Sequence, residues 1–309
     1  MSKFLFLPVI LFFLSACGIE NAEPKKSSEL IIASDFLKAK DTLLFSNFSK
    51  ANNIRVRIRF LSSDSIQKRL KLDGYNSDFD LVFVKSLVSV KNLKPINFHH
   101  ISKETIRTSL FNFSAFQNNS WFAVGHDPYV FSYVPDTLDL PTSYSDLTKK
   151  FNYSCLNPDE NKVLLANIKY LTKKKPSYYS KWKKAFERNY LPFNAGTDSL
   201  PSKQFMLVKW SQYVEHPFFK KNRKRTVNYS LTNSALYADR KSIAIVLEAK
   251  NFKNAILFLT FLNSKTKSAY FYEKMGAIPM LTKGSSYDDE KISGMRILSI
   301  HEDSLLMNL

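Results

Sequence analysis

The sequence predicts an α/β protein organised around a parallel sheet. Three observations carry that expectation. LIIA at 30–33 and LVFV at 81–84 are short apolar runs of the kind that form strands buried on both faces. IRVRIRF at 54–60 alternates apolar and basic residues strictly, the period-two signature of a strand with one wet face. The segments between them read as helices, and strand, helix, strand, helix, strand in that order implies parallel pairing.

In chain order, ELIIASDF opens the first strand and DTLLFSNFSKANN reads as the helix after it. Ser63 or Asp64 is expected to cap the helix SIQKRLKLDG, which Gly74 ends. WFAVG and YVFSYV read as two strands separated by HDP, and Pro135 and Pro141 bracket a loop before a short helix capped by Thr142. NKVLLANIKYLTKK and SYYSKWKKAFERNY read as two helices, FMLVKWSQYV as a strand, and SIAIVLEAK as another buried strand. In FKNAILFLTFLNS, Ala255, Phe258, Leu259 and Leu262 recur at helical spacing and form one apolar face. A second helix is expected to run to Met275, with Gly276 as its stop.

Before all of this, Lys3 is followed by FLFLPVILFFLSA without a charge. A charged start, a short apolar run and small residues make a signal peptide over 1–16, and the run is shorter than the ~20 residues that span a bilayer. LSAC at 14–17, followed by Gly18, resembles the lipobox of bacterial lipoproteins. The resemblance implies that Cys17 is acylated and starts the mature chain, with residues 17–28 as a polar tether in the cell envelope. Cys155 is the one other cysteine, so an anchored Cys17 leaves no intramolecular disulfide. Cys155 itself reads as a small buried hydrophobe.

The chain carries 45 Lys plus Arg against 27 Asp plus Glu, a net charge of +18. That balance fits nucleic acid, an anionic membrane or an acidic ligand. Outside the cytoplasm the run KKNRKR at 220–225 reads as a solvated loop, and no nucleic-acid partner is expected. No GxxxxGK, GxGxxG, HExxH or GxSxG pattern occurs, so the common nucleotide, zinc and hydrolase motifs are excluded. The one adjacent acid–base pair, His126–Asp127, lies on an expected strand, where neighbours point to opposite faces. No enzyme activity is expected.

In open α/β sheets the loops at the carboxyl ends of strands bind ligands. Here they carry Ser34 and Asp35, Ser62 and Ser63, and Lys85 and Ser86, beside helix starts that favour anions. The lipobox, the early β-α-β-α-β run, DPYVFSYVP with LPTSYSDL, and SIAIVLEAKNFKNAILFLTFLNSKTKSAYFYEKMGAIPM come in an order that resembles the bacterial extracellular solute-binding proteins of ABC importers. Within these the likeness is to the ferric-iron-type branch of the two-lobed, type II class. It rests on Lys250, Asn251, Ala255, Phe258, Phe261, Leu262, Ser264 and Pro279.

The resemblance implies a two-lobed α/β fold with an interlobe cleft. Residues 29–125 and 238–275 would form lobe one, 126–237 lobe two, and 276–309 a segment packed on the lobes. The crossings would fall near Val124–Val130 and Tyr229–Lys241. It implies a monomer, no cofactor, a small solute as cargo (ferric ion, an anion or an anionic chelate) and an ABC permease as partner. The iron branch uses tyrosines, whose phenolates suit Fe(III). On this reading Ser34, Lys85, His126, Asp127, Tyr129, Tyr213, Tyr229 and Tyr237 are the candidate ligand-binding residues. Tyr213 and Tyr229 are the candidate metal ligands, and Tyr213→Phe is expected to weaken binding. The histidine motif of that branch is replaced by ASDFLKAK after the first strand. A ligand-sensing or interaction lipoprotein of the same fold is the alternative function, followed by an exported enzyme.

Overall fold

A computed structural model describes residues 28–93, 96, 98–102, 114–117, 119–134, 141–149, 153–155, 161–191, 205–221, 226–228, 231, 235–262, 276–279, 295–298 and 300–309. The signal segment, Cys17, Tyr229 and the helix expected before Gly276 lie outside the described residues.

Three parallel strands open the sheet: β1 (Ser28–Ser34), β2 (Ile54–Phe60) and β3 (Leu81–Val84), with β1 paired to both others. The burial of β3 on both faces follows from its sequence. Leu81 and Phe83 join one apolar cluster with Leu30 and Ile32, while Val82 and Val84 join the other with Ala33. The first cluster is sealed by the helix Phe252–Leu262, whose Ala255, Phe258, Leu259 and Leu262 are all fully buried. β2 lies at the sheet edge. Its Ile54 and Val56 turn inward, and its arginines face out, where Arg57 pairs with Glu29. Charges along an edge discourage further strand pairing.

β3 pairs antiparallel with β9 (Ala238–Ile245), and β9 with β5 (Trp121–Tyr133). β5 is a single strand through HDP, where two had been expected. Its partner changes within that stretch: Phe122 to Pro128 face β9, and Tyr129 to Ser132 face β7 (Phe205–Lys209). Pro128 has no N–H to give, and it stands where one ladder hands over to the next, so the strand continues through it. β7 pairs in turn with the short β6 (Tyr153–Ser154), and two more short strands, β4 (Ser114–Phe116) and β8 (Thr226–Asn228), pair antiparallel with β5.

Other elements shift from expectation for local reasons. Ser62, one residue earlier than expected, caps the helix Ser63–Asp73: its Oγ accepts from the Ser65 N–H at 3.2 Å. Ser143 rather than Thr142 caps the turn Tyr144–Thr148, although Thr142 donates to the same Asp146 carboxylate. DTLLFSNFSKANN divides into a 3₁₀ segment and the helix Ser46–Asn52. FMLVKWSQYV is a strand only to Lys209, after which Trp210–Glu215 is helical. Gln212 Oε1 accepts the Lys209 N–H at 3.0 Å, which closes the helix start. Among the described residues no helix is long and apolar enough to cross a membrane.

Candidate functional site

β9 carries three consecutive charges into the interior. Asp239, Arg240 and Lys241 are each no more than 3% exposed. Burial of charge demands partners, and each residue finds one on a different element. Lys241 Nζ lies 3.5 Å from Asp127 Oδ2 on β5. Arg240 Nε lies 3.0 Å from Glu302 Oε1 on the C-terminal helix Glu302–Leu306. Asp239 Oδ2 accepts from Lys209 Nζ of β7 at 2.8 Å, and its Oδ1 accepts the Leu87 N–H at 2.9 Å. Asp239 thus ties β9, β7 and the helix Leu87–Leu93 into one knot.

Above that knot opens a cleft of ≈ 350 Å³. Asp35, Ser62, Ser63 and Asp64 line it from the ends of β1 and β2. Lys85, Ser86, Ser89 and Asn92 line it from the end of β3 and the helix beyond. Lys162, at the start of the helix Lys162–Leu171, and Lys209, at the end of β7, complete the polar wall. Asp35 is its organiser: Oδ2 accepts from Ser63 Oγ and Ser89 Oγ, each at 2.6 Å, and Oδ1 accepts the Lys85 N–H at 2.8 Å. The cleft therefore presents three ammonium groups and a set of serines against two carboxylates, one of them already occupied by three donors.

Of the residues singled out from sequence, Lys85 lines the cleft, together with Asp35, Ser62, Ser63 and Ser86. Ser34 is buried below it, and its Oγ accepts the Leu37 N–H at 3.3 Å as a turn cap. Asp127 accepts from Ser211 N–H and Oγ at 2.9 and 2.6 Å, in the lower polar knot. His126 is half-buried on β5, and its Nδ1 is enclosed without a partner among the described residues. Burial, aided by the charge of Arg240, holds its pKa well below the ordinary histidine value.

The three described candidate tyrosines, Tyr129, Tyr213 and Tyr237, have other surroundings. Tyr129 is 1% exposed, with Lys209 Nζ 5.8 Å from its ring centre. Tyr237 stacks on Tyr144 at 4.3 Å, and burial pushes its phenol up to about 12. Tyr213 sits on the helix after β7, in ring contact with Trp210 and Phe219. None of these three lines the cleft. Among the described residues there is also no group of three His, Cys, Asp or Glu placed to hold a metal ion.

Sequence reading missed Lys162, Ser89, Asn92 and above all Lys209. The one local signal for Lys209 was a lysine closing an otherwise apolar strand, FMLVK, which needs a buried counter-charge.

No protein-family model matches the chain, and no curated protein sequence does. Solved structures do match. The Trichodesmium protein IdiA (FutA), in complex with iron and citrate, superposes with a TM-score of 0.74 at 18% identity, over 91% of this chain and 95% of that one. Ferric iron-binding protein A of Mannheimia haemolytica, in an open conformation, gives 0.75 at 14% identity, over 91% and 95%. The Campylobacter jejuni ferric binding protein gives 0.72 at 18%, over 90% and 95%. The chain has their two-lobed fold. With it comes the fold class expected from sequence, a two-lobed α/β fold; β5 and β9 pair antiparallel in its sheet. At these identities the likeness is one of fold, and the cleft must be read from its own residues.

Proposed function

We propose that this protein is the membrane-anchored solute-binding component of an ABC importer. It takes a small anion, or a metal carried as an anionic chelate, into the cleft and presents it to a permease. The observation that carries this reading is the cleft itself: Lys85, Lys162 and Lys209 converge with serines at the carboxyl ends of the opening strands. Two of the neighbours named above are ferric iron-binding proteins, and the third was solved in complex with iron and citrate, which supports a chelate among the cargoes. A bare ferric ion is poorly served. It needs several hard anionic donors, and Asp35 and Asp64 are the two carboxylates on the described wall.

In this reading residues 29–125 and 238–275 form one lobe and 126–237 the other, with 276–309 packed on both. The change of partner along β5 and the Arg240–Glu302 pair support those boundaries. Capture closes the lobes by hinge motion. Acylated Cys17 and the tether 17–28 hold the domain, as a monomer, to a membrane of the cell envelope, facing the periplasm or the cell surface.

The test is thermal unfolding of the purified full chain with phosphate, sulfate, citrate, ferric citrate and ferric nitrilotriacetate. A ligand that binds only the native state stabilises by about 2.7 kcal/mol at a hundred times its Kd. At least one anion in the panel is expected to raise the unfolding temperature. A flat response throughout would refute capture and favour the sensor or interaction role.

A further inference from the structure

The directions of the hydrogen bonds in the cleft say more about its cargo, on the premise of the capture function just proposed. A hydroxyl has one proton to give. Ser63 and Ser89 both give theirs to Asp35 Oδ2 at 2.6 Å, with their own oxygens 3.0 Å apart. Ser86 Oγ accepts the Ser89 N–H at 3.3 Å. What Ser63 and Ser89 offer the cleft is therefore lone pairs. The lysines are the reverse, since an ammonium only donates.

These two demands disfavour an ion that only accepts and an ion that only carries positive charge. Sulfate satisfies Lys85, Lys162 and Lys209 but sets further acceptor oxygens against Ser63 and Ser89, whereas hydrogen phosphate keeps a P–OH to give and is the competitor that calorimetry separates. A bare cation is accepted by the serines and repelled by the three ammonium groups. We propose that the cleft is built for a small organic anion that also carries a hydroxyl: a hydroxycarboxylate, free or as a metal chelate. Its carboxylates meet the lysines, and its hydroxyl donates to the Ser63–Ser89 pair. Asp35 sets this preference without needing to touch the ligand, because it is what turns the serine protons away from the cleft. It is a positioning residue.

Calorimetry on the full chain tests the proposal with matched pairs, malate against succinate and citrate against tricarballylate, with phosphate and ferric nitrilotriacetate alongside. Sites built to bond a substrate hydroxyl discriminate strongly against analogues that lack it, and in this partly open cleft the hydroxy acids should bind at least about tenfold tighter than their partners. Asp35→Asn and Ser89→Ala should each shrink that ratio to about threefold or less, while Lys209→Met weakens both members of a pair alike. The two routes to the ratio keep the test valid if one variant fails to fold. Equal affinity within the pairs, or binding of phosphate or ferric nitrilotriacetate without the acids, would overturn the hydroxycarboxylate assignment and leave capture standing. Silence from every ligand would overturn both.

Discussion

Replacing Lys209 by methionine isolates the charge that joins the fold to the cleft. Its Nζ lies 2.8 Å from Asp239 Oδ2, and the two side chains are 6% and 0% exposed. Methionine keeps most of the apolar stem, so the loss is chiefly electrostatic. Removing one partner of a buried pair costs about 3–5 kcal/mol, because the other charge is left in a low dielectric. Asp239 would still accept N–H groups from Leu87 at 2.9 Å and from Arg240 at 2.7 Å. That residual solvation places the expected cost at the low end, about 3 kcal/mol. Urea unfolding reads it directly: with an m-value of about 3 kcal/mol/M for a chain of this size, the midpoint should fall by about 1 M. The double variant Lys209→Met/Asp239→Asn removes the orphaned charge and keeps a carbonyl for the Leu87 N–H, so it should regain at least about half of the loss. A single variant within about 0.5 kcal/mol of the parent would refute the argument, as would a double variant whose cost is the sum of the two singles.

Three further outcomes follow from the geometry. Gly276 has φ +58°, and a Cβ there would stand 2.7 Å from Ser211 Cα, so Gly276→Ala should cost about 1–3 kcal/mol in the same urea assay; a neutral result would show that the Ser211 backbone yields. Burial alone would raise the Asp146 pKa, but hydrogen bonds from Lys149, Thr142 and Ser143 outweigh it and hold the carboxyl down at about 2, against an ordinary 3.8. Its contribution is then complete above the unfolded value and lost as pH falls through about 2, so Asp146→Asn should cost about 2 kcal/mol at neutral pH and almost nothing near pH 2; a gap that does not close in acid would contradict this. Tyr213→Phe, expected from sequence to weaken binding, should leave affinity within about twofold because Tyr213 packs on Trp210 and Phe219 away from the cleft wall. A loss of about tenfold would return it to the site.

Much of the first half of the fold was legible in advance because each strand there carries its own burial pattern. LVFV is apolar on both faces and IRVRIRF on one, and both sit in the sheet as those patterns require. The helical face of Ala255, Phe258, Leu259 and Leu262 was legible for the same reason. The strand containing HDP misled because proline and two polar residues are ordinary breakers. Only the change of partner from β9 to β7 makes room for them. The cleft loops were legible as a topological consequence of parallel strands, which put Asp35, Ser63 and Lys85 at one edge.

The sequence by itself determined the α/β order, the periodic core faces and the strand-end loops, because each is written in contiguous residues. Tertiary structure alone decided which charges are buried together and which way the serine protons point. Lys209 and Asp239 are thirty residues apart in sequence but 2.8 Å apart in space. Asp35 reaches Ser63 and Ser89 from 28 and 54 positions away. Contacts of that range leave no local period to read. They set Lys209 and Ser89 on the cleft wall, which no contiguous run of the sequence announces.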